Sequence, residues 1–358
     1  MKLKILFLLP SFRKGGEAKN TLNILNSLDT SRFDLTLLIC SKGQSDFKEF
    51  LNNSVNVIEI GSHTPFWKFY YIVKTIRLVR PDITFTSFID LNFVVGIYKL
   101  FSFRRFISVL RFNTMPSYTI SSMLGLPVTK NSKSFSVKSA NKIIAQSFEM
   151  HDEILEYYPI SKGKVDVIQN IINRDQITQL ANKYNPYKPY NGTTLVAVGS
   201  LWAAKGFEFL IKAMWEIVYK HRQEVRLYII GENLIKDSGY DKFLKAMIED
   251  LKLEDIILLE GYTPNPYPYM KHADVFVLSS LKEGFPNVVL EALSLKVPCV
   301  VTDCVDFQGI INPGSNGYIA KKANVNSLVE GILQAMNMDF DMEEMDDFDY
   351  NVWFSSLL

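Results

Sequence analysis

Short apolar runs alternate with amphipathic stretches along the whole chain. In the first half, runs at 4–9, 35–40, 55–58, 83–87, 106–110 and 142–145 predict buried strands. Apolar positions three and four apart at 18–28 and 66–79 predict helices between them. The second half repeats the scheme, with strands at 194–198, 225–230, 256–259, 275–278 and 298–302 and helices at 207–219, 240–251, 288–295 and 325–336. Strand–helix alternation on this scale reads as α/β architecture, with parallel sheets covered by helices on both faces. Residues 173–193 contain N-K-Y-N-P-Y-K-P-Y-N-G, whose Pro, Gly, Asn and Tyr content marks a connector. The expected organisation is therefore a domain over 1–172, a linker over 173–193, a second domain over 194–338, and a tail over 339–358. Two doubly wound domains joined near the midpoint are expected to face each other across a cleft lined by the carboxyl ends of their strands.

Composition narrows the function. The 358 residues fit two domains of roughly 150 residues each. A 47% hydrophobic and 22% charged chain is ordinary globular protein, and a net charge of +1 argues against a nucleic-acid binder driven by bulk charge. The halves differ, however. Residues 1–170 carry 22 basic and 13 acidic residues, net +9; residues 171–358 carry 17 and 25, net −8. Seven of those 25 acids lie between Asp339 and Asp349, which leaves the body of the second half close to neutral. Cys40, Cys299 and Cys304 form no C-x-x-C pair, so a reducing, cytoplasmic compartment is expected. The apolar run 5–9 is five residues long and meets Pro10 and Gly15-Gly16 with no small-residue cleavage site, which favours a first strand over a signal peptide. The charge-free run 91–98 has eight residues, well short of the ~20 that span a bilayer. A soluble or peripheral protein is expected.

The strongest chemical signal is S-L-K-E-G-F-P-N-V-V-L-E-A-L at 280–293. The strand before it sets Glu283 on a loop at a carboxyl end, and Pro286-Asn287 opens a helix with Asn287 as its cap. Glu291 follows four residues later on the same helix face. The N–H groups of the first turn, around 287–290, make an anion site. Two carboxylates thus bracket a phosphate-binding helix end, which suits a sugar on one side and a ribose on the other. A strand–turn–helix unit with two surface glutamates has the same spacing.

This segment, followed by V-P-C-V-V-T-D, resembles the E-x7-E signature of glycosyltransferase family 4, whose members have the GT-B fold of two Rossmann-like domains. Further landmarks come in order along the chain. Gly15-Gly16 resembles the family's N-terminal glycine loop, and V-I-Q-N-I-I-N at 167–173 the stretch that ends its first domain. V-G-S-L-W-A-A-K-G-F at 198–207 resembles its phosphate loop, 261–280 the segment leading into E-x7-E, and P-G-S-N-G-Y-I-A at 313–320 a late turn.

The resemblance implies roles by position. Lys205 would hold the donor diphosphate, with Gly15 and Gly16 allowing close backbone approach. Glu291 would accept from the ribose hydroxyls. Glu283 would contact the transferred sugar, whose pocket Gly284, Phe285, Pro286, Asn287 and Val288 would line. Tyr262 and Thr263 would wall the base. Arg111 and Asn113 resemble an R-n element and would touch acceptor or sugar. Glu283 and Lys205 would carry catalysis, with a UDP-sugar donor, retention of configuration, no metal and no cofactor. The family also implies a terminal helix, near Trp353, that returns to the first domain. Two departures stand out: Ser200 occupies the place of a common Arg beside the phosphate Lys, and 306–310 reads D-F-Q-G-I, without the family's acidic residue.

Other features receive plainer readings. Asp339-Phe340-Asp341 and Asp347-Phe348-Asp349 match a D-x-D metal motif but lie in an acidic tail, where a solvated segment is expected. His63, His151, His221 and His272 lack ligand spacing and read as surface histidines. Bases interleave with aromatics at 67–71 and 101–106, which suits an anionic membrane surface and a lipid-diphosphate acceptor. The function expected is a bacterial polysaccharide-type glycosyltransferase. It would move a hexose or N-acetylhexosamine from a UDP-sugar to a glycan or polyprenyl-diphosphate-linked acceptor, in the cytoplasm or on the inner face of the cell membrane. A nucleotide-sugar epimerase of the same fold and a non-catalytic scaffold are the alternatives.

Overall fold

A computed structural model describes residues 2–12, 15–43, 47–61, 64–117, 125, 129–233, 239–341 and 348–357. The chain divides into two compact units, Met1–Ile171 with Asp347–Leu358, and Ile172–Asp346.

The first unit is built on a seven-stranded parallel sheet. Its strands are β1 (Leu3–Leu9), β2 (Phe33–Ile39), β3 (Asn56–Glu59), β4 (Ile83–Thr86), β5 (Ile107–Arg111), β6 (Lys142–Ala145) and β7 (Val165–Val167), in the order β3-β2-β1-β4-β5-β6-β7. The connecting helices are α1 (Gly16–Ser27), α2 (Pro65–Val79), α3 (Ile89–Phe101), α4 (Lys130–Ser139) and α5 (Phe148–Tyr157). Central strands are apolar at nearly every position because helices cover both faces: Ile5, Leu6, Phe7 and Leu8 of β1 are all buried. A C-terminal helix, Tyr350–Ser356, packs into this core. Its Phe354 lies against Phe7, Phe33 and Phe85, and Trp353 Nε1 donates to Asp166 at 3.2 Å. Asp349 caps that helix by accepting from the Asn351 and Val352 amides.

The second unit carries a six-stranded parallel sheet. Its elements are α6 (Arg174–Ala181), β8 (Thr193–Val198), α7 (Phe207–Tyr219), β9 (Val225–Ile230), α8 (Tyr240–Asp250), β10 (Ile257–Gly261), α9 (Tyr267–Lys271), β11 (Val275–Leu278), α10 (Asn287–Ser294), β12 (Cys299–Thr302), β13 (Gly317–Ala320) and α11 (Val325–Ala335). The strand order is β10-β9-β8-β11-β12-β13. Chain order reverses between β8 and β11, so the crevice at their carboxyl ends is the switch point at which open α/β sheets bind ligands. With these elements in place, the C-terminal helix of the first unit is α12 (Tyr350–Ser356).

Two expectations need correction. The stretch 173–193 is not connector throughout, because Asn173 accepts from the Gln176 amide and caps α6, which buries Ile177 and Ala181. The Pro-, Tyr- and Gly-rich composition that suggested a linker begins only after that helix ends. Asn287 is the first residue of α10 rather than its cap; Pro286 holds the cap position, extended at ψ 91°.

Candidate functional site

The switch point of the second sheet gathers the phosphate loop and the E-x7-E segment. After β8 the chain passes Gly199 and Ser200 into a 3-10 turn, Ala203–Lys205, closed by the Lys205 amide donating to the Trp202 carbonyl at 2.9 Å. Gly206 then adopts φ +61° and opens α7. A Cβ at Gly206 would collide with the Ser279 carbonyl oxygen, so both the conformation and the close approach require glycine.

The loop after β11 is stitched to this turn. The Leu281 amide donates to the Ala204 carbonyl at 2.8 Å, and Ser279 Oγ donates to the Lys205 carbonyl at 2.9 Å. These bonds bring two side chains 78 positions apart into contact: Lys205 Nζ donates to Glu283 Oε1 at 2.5 Å. The pair is largely sheltered, with side-chain exposures of 18% and 13%. Ser280 Oγ donates to the same carboxylate oxygen at 2.7 Å, and Thr302 Oγ1 in turn donates to the Ser280 carbonyl. Glu283 is therefore fixed by a cation and a hydroxyl, both on well-held backbone.

Beyond Glu283, Gly284, Phe285 and Pro286 lead into α10. Its first residues, Asn287 and Val288, present their N–H groups at the positive end of the helix dipole. Glu291 lies one turn along and is only 2% exposed. Tyr262 and Thr263 follow Gly261 at the carboxyl end of β10, with Tyr262 exposed and Thr263 Oγ1 engaged in a local turn with Asn265. The second unit thus brings together Lys205 and Glu283 on adjacent loops and places α10 immediately after Glu283. Its three-member chain from Thr302 through Ser280 to Glu283 escaped sequence reading; S-x-x-E spacing across a turn was the available signal.

The first unit assembles a separate polar cluster. Gly15 precedes α1 and its carbonyl accepts from the Lys19 amide at 3.1 Å. At the end of β5, Arg111 is only 1% exposed: it donates to Glu17 Oε2 at 2.7 Å and to Asn170 Oδ1. Arg111, expected to face a ligand, is instead held inside the unit by the first turn of α1. Asn113 lies two residues on and is half-buried, beside Thr114. Burial pushes the nearby Tyr350 hydroxyl up to about 12, with the Arg111 charge acting in the opposite sense.

The remaining candidates are inert. Burial pushes the Cys40 and Cys304 thiols up to about 12 and raises that of Cys299, so all three stay protonated at neutral pH. His221 and His272 are exposed, and His151 lies against Asp152 at 2.8 Å. His63 and residues 342–347 of the acidic tail lie outside the described residues. Among the described residues, no helix is long and apolar enough to cross a membrane.

Comparison with known proteins bears on the family and the fold. Residues 181–352 match the family Glycosyl transferases group 1. An uncharacterized glycosyltransferase of Methanocaldococcus jannaschii is 31% identical over 248 residues, 66% of this chain and 59% of that protein. The Campylobacter jejuni N-acetylgalactosamine-N,N'-diacetylbacillosaminyl-diphospho-undecaprenol 4-alpha-N-acetylgalactosaminyltransferase is 28% identical over 201 residues, 56% of this chain and 52% of that protein. The matched regions thus span between half and three-fifths of these two relatives. Among solved structures, Anabaena Alr3699/HepE in complex with UDP superposes with a TM-score of 0.71 at 17% identity, covering 94% of this chain and 93% of that one. Residues 181–352 are thus similar to the group 1 glycosyltransferases, and the chain as a whole has the two-domain GT-B fold.

Proposed function

We propose that this protein transfers a hexose or N-acetylhexosamine from a UDP-sugar to a glycan or polyprenyl-diphosphate-linked acceptor in surface polysaccharide biosynthesis, with retention and without a metal. The observation that carries this reading is the Lys205–Glu283 pair at the β8/β11 switch point, with Lys205 on the turn that leads into α7 and Glu283 on the loop that opens α10. It is supported by a Campylobacter relative named for a diphospho-undecaprenol substrate and by an Anabaena neighbour solved with UDP.

The second unit holds the donor. Glu291 accepts from the ribose, Tyr262 and Thr263 wall the base, and the loop 284–288 cradles the sugar beside Glu283. Arg111 and Asn113 belong to the acceptor side, Arg111 by holding α1 through Glu17. As the glycosidic bond breaks, negative charge grows on the departing UDP, where Lys205 and the first-turn N–H groups of α10 stabilise it. The acceptor hydroxyl attacks from the face that the phosphate leaves, and that phosphate takes its proton. Water must be kept from the site, because hydrolysis is the competing reaction.

The protein works at an anionic membrane surface. Support comes from the ends of α2 and α3, where Leu78 is 72% exposed on α2 and Phe101 is 80% exposed on α3, with Leu100 and Phe103 also exposed. Arg77, Arg80 and Arg104 line a cavity of about 370 Å³ at the same place.

Incubation with UDP-glucose, UDP-galactose, UDP-GlcNAc and UDP-GalNAc in the presence of EDTA, without acceptor, tests the reaction type. Slow UDP release from a preferred donor, with the sugar otherwise unchanged, is expected. Accumulation of an epimerised UDP-sugar would establish the epimerase instead, and dependence of UDP release on an added divalent ion would contradict metal-independent transfer.

A further inference from the structure

The two groups assigned to different parts of the donor are bonded to each other. Lys205, assigned to the diphosphate, donates a hydrogen bond from Nζ to Oε1 of Glu283, assigned to the sugar, at 2.5 Å. A carboxylate offers a lysine the same partner as a phosphate does: an anionic oxygen accepting a short, charge-assisted hydrogen bond. A diphosphate can reach the other N–H groups of the ammonium, but as it draws Lys205 toward itself it weakens this bond, so the two anions compete for one cation.

What Glu283 gains on displacement depends on the ligand. A sugar nucleotide offers sugar hydroxyls, which donate to the released carboxylate and restore its hydrogen bonding. A bare nucleoside diphosphate has no sugar there. It would leave a carboxylate of 13% exposure with Ser280 as its remaining described partner, close to two phosphate charges. Leaving a sheltered charged acceptor short of donors costs more than the bond it loses. We infer that Glu283, held in place by Ser280, competes with the donor diphosphate for Lys205, and so makes the site favour a sugar nucleotide over the nucleoside diphosphate left after transfer. The inference rests on the donor reading given above. It adds a role in product release to Glu283 and makes Ser280 a positioning residue.

This gives Glu283 a part in nucleotide binding beyond the sugar contact expected from sequence. Glu283→Gln keeps the shape and the Ser280 bond but removes the competing charge. Calorimetric titration should show UDP binding about tenfold more tightly to Glu283→Gln than to the natural protein. The UDP-sugar released fastest in the acceptor-free incubation should show no comparable gain. In a Lys205→Met background the effect of Glu283→Gln on UDP should vanish, since the pair no longer exists. Ser280→Ala, which removes the remaining described partner of the displaced carboxylate, should weaken UDP binding further, and Ser280→Thr should restore the natural affinity.

Unchanged or weaker UDP binding by Glu283→Gln, with the natural protein binding UDP, would overturn the inference and leave the donor reading standing. A gain that persists in the Lys205→Met background would also overturn it, as through-space repulsion of the diphosphate by Glu283. An equal gain for UDP-sugar would remove the preference. Failure of the natural protein and the variant alike to bind any nucleoside diphosphate would remove the donor reading, and the inference with it.

Discussion

Lys205→Ala should weaken UDP binding by roughly 10- to 150-fold and abolish detectable sugar transfer. Loss of a hydrogen bond to a charged group costs about 1.5–3 kcal/mol, and each 1.4 kcal/mol is tenfold in affinity. The upper part of that range is the better expectation, because Ser200 stands where the family commonly has an arginine. Under the proposed donor reading, Lys205 and the start of α10 would then carry most of the phosphate neutralisation. Transfer should fall further than binding, since the charge on UDP is greatest as the sugar leaves. The fold should survive, because the 203–206 turn is held by backbone bonds and by Ser279 rather than by the lysine side chain. Calorimetry with UDP checks the first part and product chromatography the second. A loss of affinity below twofold would place the diphosphate elsewhere.

The second large effect concerns the exposed ends of α2 and α3. Arg104 is paired with Asp82 at 2.7 Å, and Asp82 also accepts from the Lys4 amide, so reversing Arg104 would disturb the unit itself. Arg77 and Arg105 are exposed and belong to no ion pair among the described residues. The double change Arg77→Glu, Arg105→Glu reverses two charges near Leu78, Phe101 and Phe103 while leaving the Arg104 pair intact. Each base near an anionic surface is worth about 1 kcal/mol, so a four-unit change in charge is expected to lower vesicle affinity roughly a thousandfold. The natural protein should bind vesicles more strongly as their anionic lipid rises and more weakly as salt shortens the Debye length below about 8 Å. UDP affinity should stay unchanged. Equal sedimentation with neutral and anionic vesicles, indifferent to salt, would favour a soluble acceptor.

Strands with a continuous apolar run and sharp ends were legible to the residue. Lys142–Ala145, Val225–Ile230 and Val275–Leu278 are such cases, since burial on both faces leaves them apolar apart from Lys142 at one end and the half-buried Arg226. Elements whose formation depends on few apolar contacts were not. Helix α4 reads K-N-S-K-S-F-S-V-K-S and is fixed by the Thr129–Ser132 capping box and by packing on α3, rather than by an apolar stripe of its own. Strand β7 has three residues, each half-buried, and gives periodicity nothing to act on.

The site divides in the same way. Lys205, Glu283 and Glu291 stand within local motifs, so their placement on loops and helix could be read from neighbours in the chain. Their mutual geometry could not. The bond between Lys205 and Glu283 exists because β8 and β11 are adjacent in a sheet in which they are not consecutive. Arg111 is the sharper case. An arginine just past a strand reads as a residue facing a ligand. Its burial follows from Glu17 and Asn170, which lie 94 positions before it and 59 after it.

The central claim is that the switch point of the second unit binds a UDP-sugar. Titration of UDP, GDP and ADP into the protein by calorimetry, repeated with Glu291→Ala, tests it most directly. The account predicts one UDP site, weaker or absent binding of GDP and ADP, and a loss of roughly 10- to 150-fold in UDP affinity when the ribose contact of Glu291 is removed. Binding of ADP alone, or UDP affinity indifferent to Glu291, would contradict it.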